Sequence, residues 1–398
     1  MKKKVLFPWL SIPFLIIIFG LGILSVVMED VEKSEFENRT LQTLPIPSLA
    51  TIKTGEYFKT FETYVADQFF ERNTWLTLYT KYELKTNQTF VNDYHVTNDH
   101  WILSKPTRVS DQGIQKTADR LNTFAKDIQS WEKEVYYYGL PHKIQLVKHL
   151  YPSYVTFNQN DVKTELLPKL TNFDGTEDLL PYFMETFNKE ELEQMNFKTD
   201  HHWKATAAYT AFQWIMNDLS EKSSLVTNGA VHDDAFIFDE IDPDYFLGSW
   251  NRNLYEQVPE DETIPLIEPK DADTYRYWRG KKGGDLEESS FRDIVGSKLG
   301  DETLEYAGAY AFSLPHVKIV NENAPNKTHI LIIKDSYVNP MQVMFAEQFQ
   351  TVEVVDNRYI TDVTAAELVK ESNADLVLFM FNDTNISGSS FVFYEQSD

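Results

Sequence analysis

The sequence predicts an α/β protein with a parallel sheet, preceded by an apolar helix and an N-terminal helical segment. Three features carry that prediction. The runs His329–Ile333, Val352–Val355 and Leu376–Phe381 alternate with helix-like segments, and strand–helix–strand repeats close as right-handed crossovers in a parallel sheet. The first run is short and apolar, as a strand covered on both faces requires. Of 398 residues, 42% are hydrophobic and 25% charged, a composition that buries a sizeable core and is far from disorder.

The elements follow in chain order. Met1-Lys2-Lys3-Lys4 precedes Val5–Met28, which carries no charged side chain, and Glu29-Asp30 comes next. At about 1.5 Å per residue this stretch reaches roughly 36 Å, against a hydrocarbon core of about 30 Å. Basic residues before it and acidic ones after it orient the N-terminus toward the cytoplasm. The alternative is a cleaved signal peptide. That would have an apolar region of about 7–15 residues and a small-residue cleavage site, which Leu24-Ser25-Val26-Val27-Met28 does not offer. The expectation is therefore a single-pass cell-membrane protein with a cytoplasmic tail (1–4), a transmembrane anchor (5–28) and an extracellular body.

Residues 29–111 read as a connector and helical segment. Pro45 and Pro47 mark the connector, and Phe58, Phe61, Val65, Phe69, Leu76 and Tyr79 recur at helical spacing, predicting one or two amphipathic helices packed on the body. Asp67 and Arg72 look like a buried ion pair between them. The body, 112–398, opens with a helix ending near Glu132 and a β-rich run, Val135–Gly139. Thr364-Ala365-Ala366-Glu367 has the form of a capping box opening a late helix. Residues 222–327, rich in Asp, Asn, Gly and Pro, break the rhythm and predict an irregular or β-containing insertion.

Charge and composition exclude several functions. Acidic residues outnumber basic ones 61 to 37, a net −24, which argues against nucleic acid as a partner because phosphate backbones call for Lys/Arg arrays. There are no cysteines, so lipoprotein anchoring, disulfides, thiolate zinc sites, Fe–S clusters and cysteine nucleophiles are all out.

Two short segments carry chemistry. Lys198-Thr199-Asp200-His201-His202-Trp203 precedes a helix that shows Ala208, Phe212, Ile215 and Leu219 on one face. In extended chain Asp200 and His202 point to the same side, so a carboxylate can hold the imidazole in one tautomer and stabilise its charged form, as a general base requires. The plainer reading is an Asp helix cap with surface histidines. A metal site is the third option, but adjacent histidines reach one ion less readily than histidines one helical turn apart, and the further Asp/His motifs of Asp-His-His phosphoesterases are missing. No cofactor or metal is expected.

The second segment, Lys334-Asp335-Ser336-Tyr337, ends the buried apolar run. Ligands of open parallel sheets bind beyond the carboxyl ends of strands, and a serine at such a turn exposes its hydroxyl while adjacent N–H groups can stabilise an oxyanion. Ser336 alone would pass for a helix cap. Together Asp200, His202 and Ser336 supply an acid, a base and a nucleophile, with the Tyr337 N–H as candidate oxyanion donor. Asn339 and Asn382 are possible amide donors or turn residues.

Thr199–Trp203 followed by Lys334–Tyr337 resembles the DHHW family of Gram-positive bacteria and, more distantly, the SGNH-like domains of alginate O-acetyltransferase periplasmic proteins. Ser34–Arg39, Asp67–Arg72 and Val355–Tyr359 support the likeness. The resemblance implies a flavodoxin-like SGNH fold in which Asp200 orients, His202 is the base and Ser336 carries the acyl group. His201 fills a variable position. It further implies serine O-acyl transfer, here acetyl, or ester hydrolysis on a cell-envelope polysaccharide, with a membrane-bound O-acyltransferase as partner. The pattern departs at Lys334, where many SGNH enzymes have Gly. The alternative function is a non-catalytic carbohydrate-binding or assembly component, in which the three residues are merely structural.

Overall fold

The computed structural model describes residues 8–86, 88–312 and 314–394. The chain divides into two units, one formed by residues up to Asp93 with Trp250–Pro259, the other by Tyr94–Ser249 and Glu260 onward.

In the first unit, helix α1 (Pro8–Val27) contains Pro13. It does not support the expected anchor. Among the described residues no helix is long and apolar enough to cross a membrane, and the expected single-pass location falls with it. The physical reason lies in the last turn, where Ser25 Oγ accepts the Phe70 N–H at 2.8 Å. That contact ties the last turn of the helix to protein rather than to lipid. The expected tail, 1–4, lies outside the described residues.

Helices α2 (Glu56–Asp67) and α3 (Arg72–Leu84) follow. Two helices form as their periodicity predicts, but the apolar face stays open: Phe58 keeps 59% of its surface exposed and Val65 45%. The ion pairing also differs from the expected Asp67–Arg72 bond. Asp67 accepts a two-pronged bond from Arg39 at 2.8 and 2.6 Å, while Arg72 bonds Glu37 at 2.7 Å. Arg39 holds the Asp67 carboxyl below its ordinary range. Between the two helices the chain turns through Glu71, at φ 55, so helical spacing from Asp67 to Arg72 is lost.

The second unit is built on an eight-stranded sheet. Its strands are β1 (Glu134–Leu140), β2 (Gly175–Asp178), β3 (Arg276–Gly280), β4 (Leu286–Ser289), β5 (His316–Val320), β6 (Asn326–Lys334), β7 (Phe349–Val355) and β8 (Leu376–Asn382). They run in the order β4-β3-β5-β7-β6-β8-β1-β2. From β7 to β2 every pair is parallel, whereas β4, β3 and β5 add antiparallel pairs at one edge. The sheet is thus mostly parallel, and residues 276–320 supply its antiparallel edge. Hairpin-type connections need no crossover helix, which is why that region lacks the strand–helix rhythm.

Helices cover both faces of the sheet. Helix α4 (Asp111–Ser130), whose first turn is capped by Ser110, and helix α6 (Ala365–Glu371), opened by the expected Thr364 capping box, lie on one face. Helix α5 (Ala205–Lys222) covers the other. Side-chain alternation along the strands explains the layering. Val135 and Tyr137 of β1, with Leu331 and Ile333 of β6, pack toward α4 and α6, while Tyr136, Tyr138, Ile330 and Ile332 pack toward α5. Two buried faces require continuous apolar runs, and those runs betray the strands in the sequence.

Candidate functional site

Ser336 stands two residues past the end of β6, in a short 3-10 turn spanning Ser336–Val338. Asp335 builds that turn. Its Oδ1 accepts the Tyr337 N–H at 3.0 Å, and its Oδ2 accepts the Asn382 N–H and side-chain amide at 2.8 and 2.6 Å. The serine is therefore fixed between the carboxyl ends of β6 and β8, where an open α/β sheet binds its ligands.

The segment 199–203 arrives from the other direction as the approach to α5. It is a short hairpin, since Asn196 and Trp203 form an antiparallel bridge. The Trp203 indole N–H reaches the Tyr337 carbonyl at 2.9 Å, and the Tyr337 hydroxyl reaches the His201 carbonyl at 2.5 Å. These two bonds stitch the distant segments together.

Asp200, His202 and Ser336 form one line. His202 Nε2 lies 2.7 Å from Ser336 Oγ, and His202 Nδ1 lies 2.6 Å from Asp200 Oδ1. Asp200 also accepts the His202 N–H at 2.9 Å and, on Oδ2, the Ser249 N–H at 2.7 Å. Burial alone would raise the Asp200 carboxyl, but the His202 and His201 rings and these bonds outweigh it and hold the group well below the carboxylate range. Asp200 is 2% exposed and His202 5%, while Ser336 is half-buried. An ionised carboxylate, an imidazole and an accessible hydroxyl in series can move a proton off the hydroxyl.

His201 takes no place in that line. Its Nδ1 lies 2.6 Å from Ser249 Oγ, and its ring packs 3.6 Å from that of His202. Ligand atoms of Asp200, His201 and His202 do lie within 4.8 Å of one another. Both His202 nitrogens, however, already face Ser336 and Asp200, so this arrangement suits proton transfer rather than chelation.

Three expected donors turn out to be spoken for. The Tyr337 N–H, the candidate oxyanion donor, is donated to Asp335, because Asp335 caps the turn that presents the serine. The Asn382 amide also bonds Asp335. Asn339 donates to the Ala311 carbonyl at 2.7 Å and accepts from Lys334 at 2.5 Å. Lys334, the departure from the SGNH pattern, is buried 3.5 Å from Asp356, which Arg358 grips through two bonds. This cluster holds the base of the serine turn.

Several residues at the site gave little or no signal in the sequence. Ser249 follows Gly248, where a Cβ would come within 2.3 Å of the Thr199 carbonyl carbon; only glycine lets that loop close on the motif. Tyr306 stacks on His202 at 3.6 Å and 4° and donates to the Ser336 carbonyl at 2.8 Å. Glu262 accepts the Lys198 N–H, the Thr199 N–H and the Thr199 hydroxyl at 2.5, 2.9 and 2.5 Å. Buried Lys143 donates to the carbonyls of Ile102, Lys198 and Asp200 at 2.9, 2.8 and 2.8 Å, and burial pulls its ammonium down to about 7. Ser249, Glu262 and Tyr306 sit in the irregular region between α5 and β6, where no periodicity singles them out. Lys143 had one legible cue, its place just past the end of β1.

Comparison with known proteins bears on the fold. No protein-family model and no curated protein sequence matches the chain. Among solved structures, Bacillus cereus PatB1 is similar at 26% identity and a TM-score of 0.67, covering 75% of this chain and 98% of that one. A second PatB1 structure, with a sulfonyl adduct, matches at 24% identity and a TM-score of 0.67 over the same shares. A DHHW family protein from Eubacterium siraeum matches at 20% identity and a TM-score of 0.61, covering 79% of this chain and 99% of that chain. The chain therefore has a DHHW-type, SGNH-like fold, as its motifs led one to expect.

Proposed function

We propose that this protein is a serine O-acyltransferase or esterase that moves an acyl group, acetyl in the first instance, to or from a hydroxyl of a cell-envelope polysaccharide. One observation carries the reading: the unbroken pair of short hydrogen bonds from Ser336 Oγ through His202 to Asp200. A purely structural role for these residues would not require the hydroxyl to remain half-exposed at a strand end. The acceptor class, and a membrane-bound O-acyltransferase as donor, are what the resemblance to the acetyltransferase families implies.

The steps follow from the geometry. His202 Nε2 takes the Ser336 proton as Oγ bonds to the acyl carbon, giving a tetrahedral oxyanion, and Asp200 stabilises the imidazolium. Collapse breaks the bond to the leaving oxygen, which receives the proton from His202 and departs, leaving an acyl-serine. A sugar hydroxyl, or water, then gives its proton to His202 and attacks the acyl carbon, and collapse of this second oxyanion breaks the bond to Ser336 Oγ as His202 returns the proton to it. Transfer and hydrolysis differ only in which hydroxyl enters.

The test is direct. The PatB1 structure with a sulfonyl adduct suggests the probe, since sulfonyl fluorides modify activated nucleophiles. Incubation of the protein with a sulfonyl fluoride should add one adduct at Ser336, seen by peptide mass spectrometry, and should abolish p-nitrophenyl acetate turnover. Ser336→Ala should show neither adduct nor turnover, and chelators should change nothing. A parent protein that neither turns over the ester nor labels at Ser336 removes the catalytic reading.

A further inference from the structure

Residues 197–202, between Asn196 and Trp203, belong to no helix or strand, so no ladder of backbone bonds fixes Asp200 in place. Two buried side chains of opposite charge do so instead. Lys143, three residues past β1 and 0% exposed, gives its three N–H bonds to main-chain carbonyls. These belong to Ile102, Lys198 and Asp200, at 2.9, 2.8 and 2.8 Å. Glu262, 5% exposed, takes the N–H groups of Lys198 and Thr199 and the Thr199 hydroxyl. The cation thus grips carbonyls, and the anion grips amides, of one short segment. A further contact joins that segment to the serine turn. The Lys143 N–H reaches the Tyr337 hydroxyl at 3.3 Å, and that hydroxyl bonds the His201 carbonyl.

Packing alone does not call for these charges. Taking an ammonium and a carboxylate out of water is costly, and well-packed apolar residues in their place often leave stability unchanged or higher. Burial marks both groups here, lowering the Lys143 ammonium and raising the Glu262 carboxyl. What the charges supply is direction, because an ammonium donates along three tetrahedral bonds and a carboxylate accepts through two oxygens. A turn of the Asp200 peptide would break its bond to Lys143, and the carboxylate 2.6 Å from His202 would swing with it.

We propose that Lys143 and Glu262 are positioning residues that act through Asp200, holding its carboxylate on His202 Nδ1 so that Ser336 can be activated. Neither touches the reacting atoms. The assignment deepens the catalytic reading above and rests on it.

Two substitutions in the whole protein test it. Lys143→Met keeps the stem without the charge, and Glu262→Gln keeps the shape of the side chain. Each is compared with the parent by sulfonyl fluoride labelling of Ser336, by kcat and KM for p-nitrophenyl acetate, and by melting temperature. A fourth readout is the low-field proton resonance of the short His202 Nδ1–H···Asp200 bond. In each folded variant labelling and kcat fall by about 10²-fold, the scale of a misplacement of about 1 Å. KM stays within about threefold of the parent, and the resonance shifts or is lost. The double variant falls far less than the product of the two single losses, because both residues act on one segment. A purely structural role would lower the melting temperature and leave kcat and the resonance of the folded protein as they were.

A folded variant that labels within about threefold of the parent overturns the proposal, as does an unshifted resonance or single losses that multiply. Where Lys143→Met does not fold, Glu262→Gln decides alone. The two readings fail separately. An inert Ser336 in the parent removes the catalysis, whereas a reactive parent with equally reactive folded variants removes the positioning role alone.

Discussion

Replacing Asp200 by Asn tests the proton-transfer line at its most constrained atom pair. Asp200 accepts three hydrogen bonds, two on Oδ1 from His202 and one on Oδ2 from Ser249. An asparagine has one carbonyl oxygen and an NH₂ that only donates. With its oxygen toward His202, the NH₂ faces the Ser249 N–H, which sat 2.7 Å from the acid, and one bond becomes a donor–donor contact. With the amide flipped, the NH₂ meets His202 and selects the tautomer whose proton is on Nε2, which can no longer accept from Ser336. Either way the imidazolium loses its buried counter-charge. The stability cost is about 1–3 kcal/mol for the buried donor left unpaired. The rate should fall by about 10⁴, the scale seen when a triad acid is replaced by its amide, or roughly 5.5 kcal/mol of barrier. The assay is the second-order rate of sulfonyl fluoride labelling at Ser336, read beside p-nitrophenyl acetate turnover and urea unfolding. A folded Asp200→Asn protein that labels within about tenfold of the parent would mean the carboxylate does not orient His202, and the reasoning fails.

Two further outcomes can be checked with the same preparations. Tyr306→Phe keeps the ring that stacks on His202 but removes the hydroxyl bonded to the Ser336 carbonyl; about 1 kcal/mol of stability should be lost, together with part of the labelling rate, and unchanged values in both would remove Tyr306 from the serine turn. Burial raises the Asp178 carboxyl to about 6, so the folded state holds a proton that the unfolded chain releases near pH 4, and stability falls as pH rises from about 4 to 6. Asp178→Asn, which can still accept the Leu180 N–H, should therefore unfold at higher urea than the parent at pH 8, by up to about 3 kcal/mol, and match it near pH 3.5. Equal stability at both pH values would show that Asp178 is solvated.

The central strands and the three residues of the line were readable because each leaves a local mark. Leu331, Ile332 and Ile333 are apolar in succession because helices cover both faces of β6. Asp200 and His202 share one side of an extended segment just before a helix, and Ser336 directly follows a buried strand; such positions recur at sites for geometric reasons. Ser249, Tyr306 and Glu262 leave no such mark. They act through single contacts made by irregular chain, and nothing periodic surrounds them. The engagement of the Tyr337 N–H leaves no mark either, because a donor's availability depends on its neighbours, and Asp335 reaches it only once the turn has formed. The apolar run Val5–Met28 likewise shows its length but not that Phe70 engages Ser25.

Patterns of period two and period four, the absence of cysteine and the choice of Asp, His and Ser at their particular flanks belong to the amino-acid order itself, because they reflect forces acting over a few neighbouring residues. Whether Asp67 bonds Arg39 or Arg72, which edge of the sheet turns antiparallel, and that 2.7 Å separates an imidazole from a hydroxyl 134 positions away depend on packing between distant segments. Only the folded chain brings those segments within reach, and contacts of that range leave no imprint on local sequence.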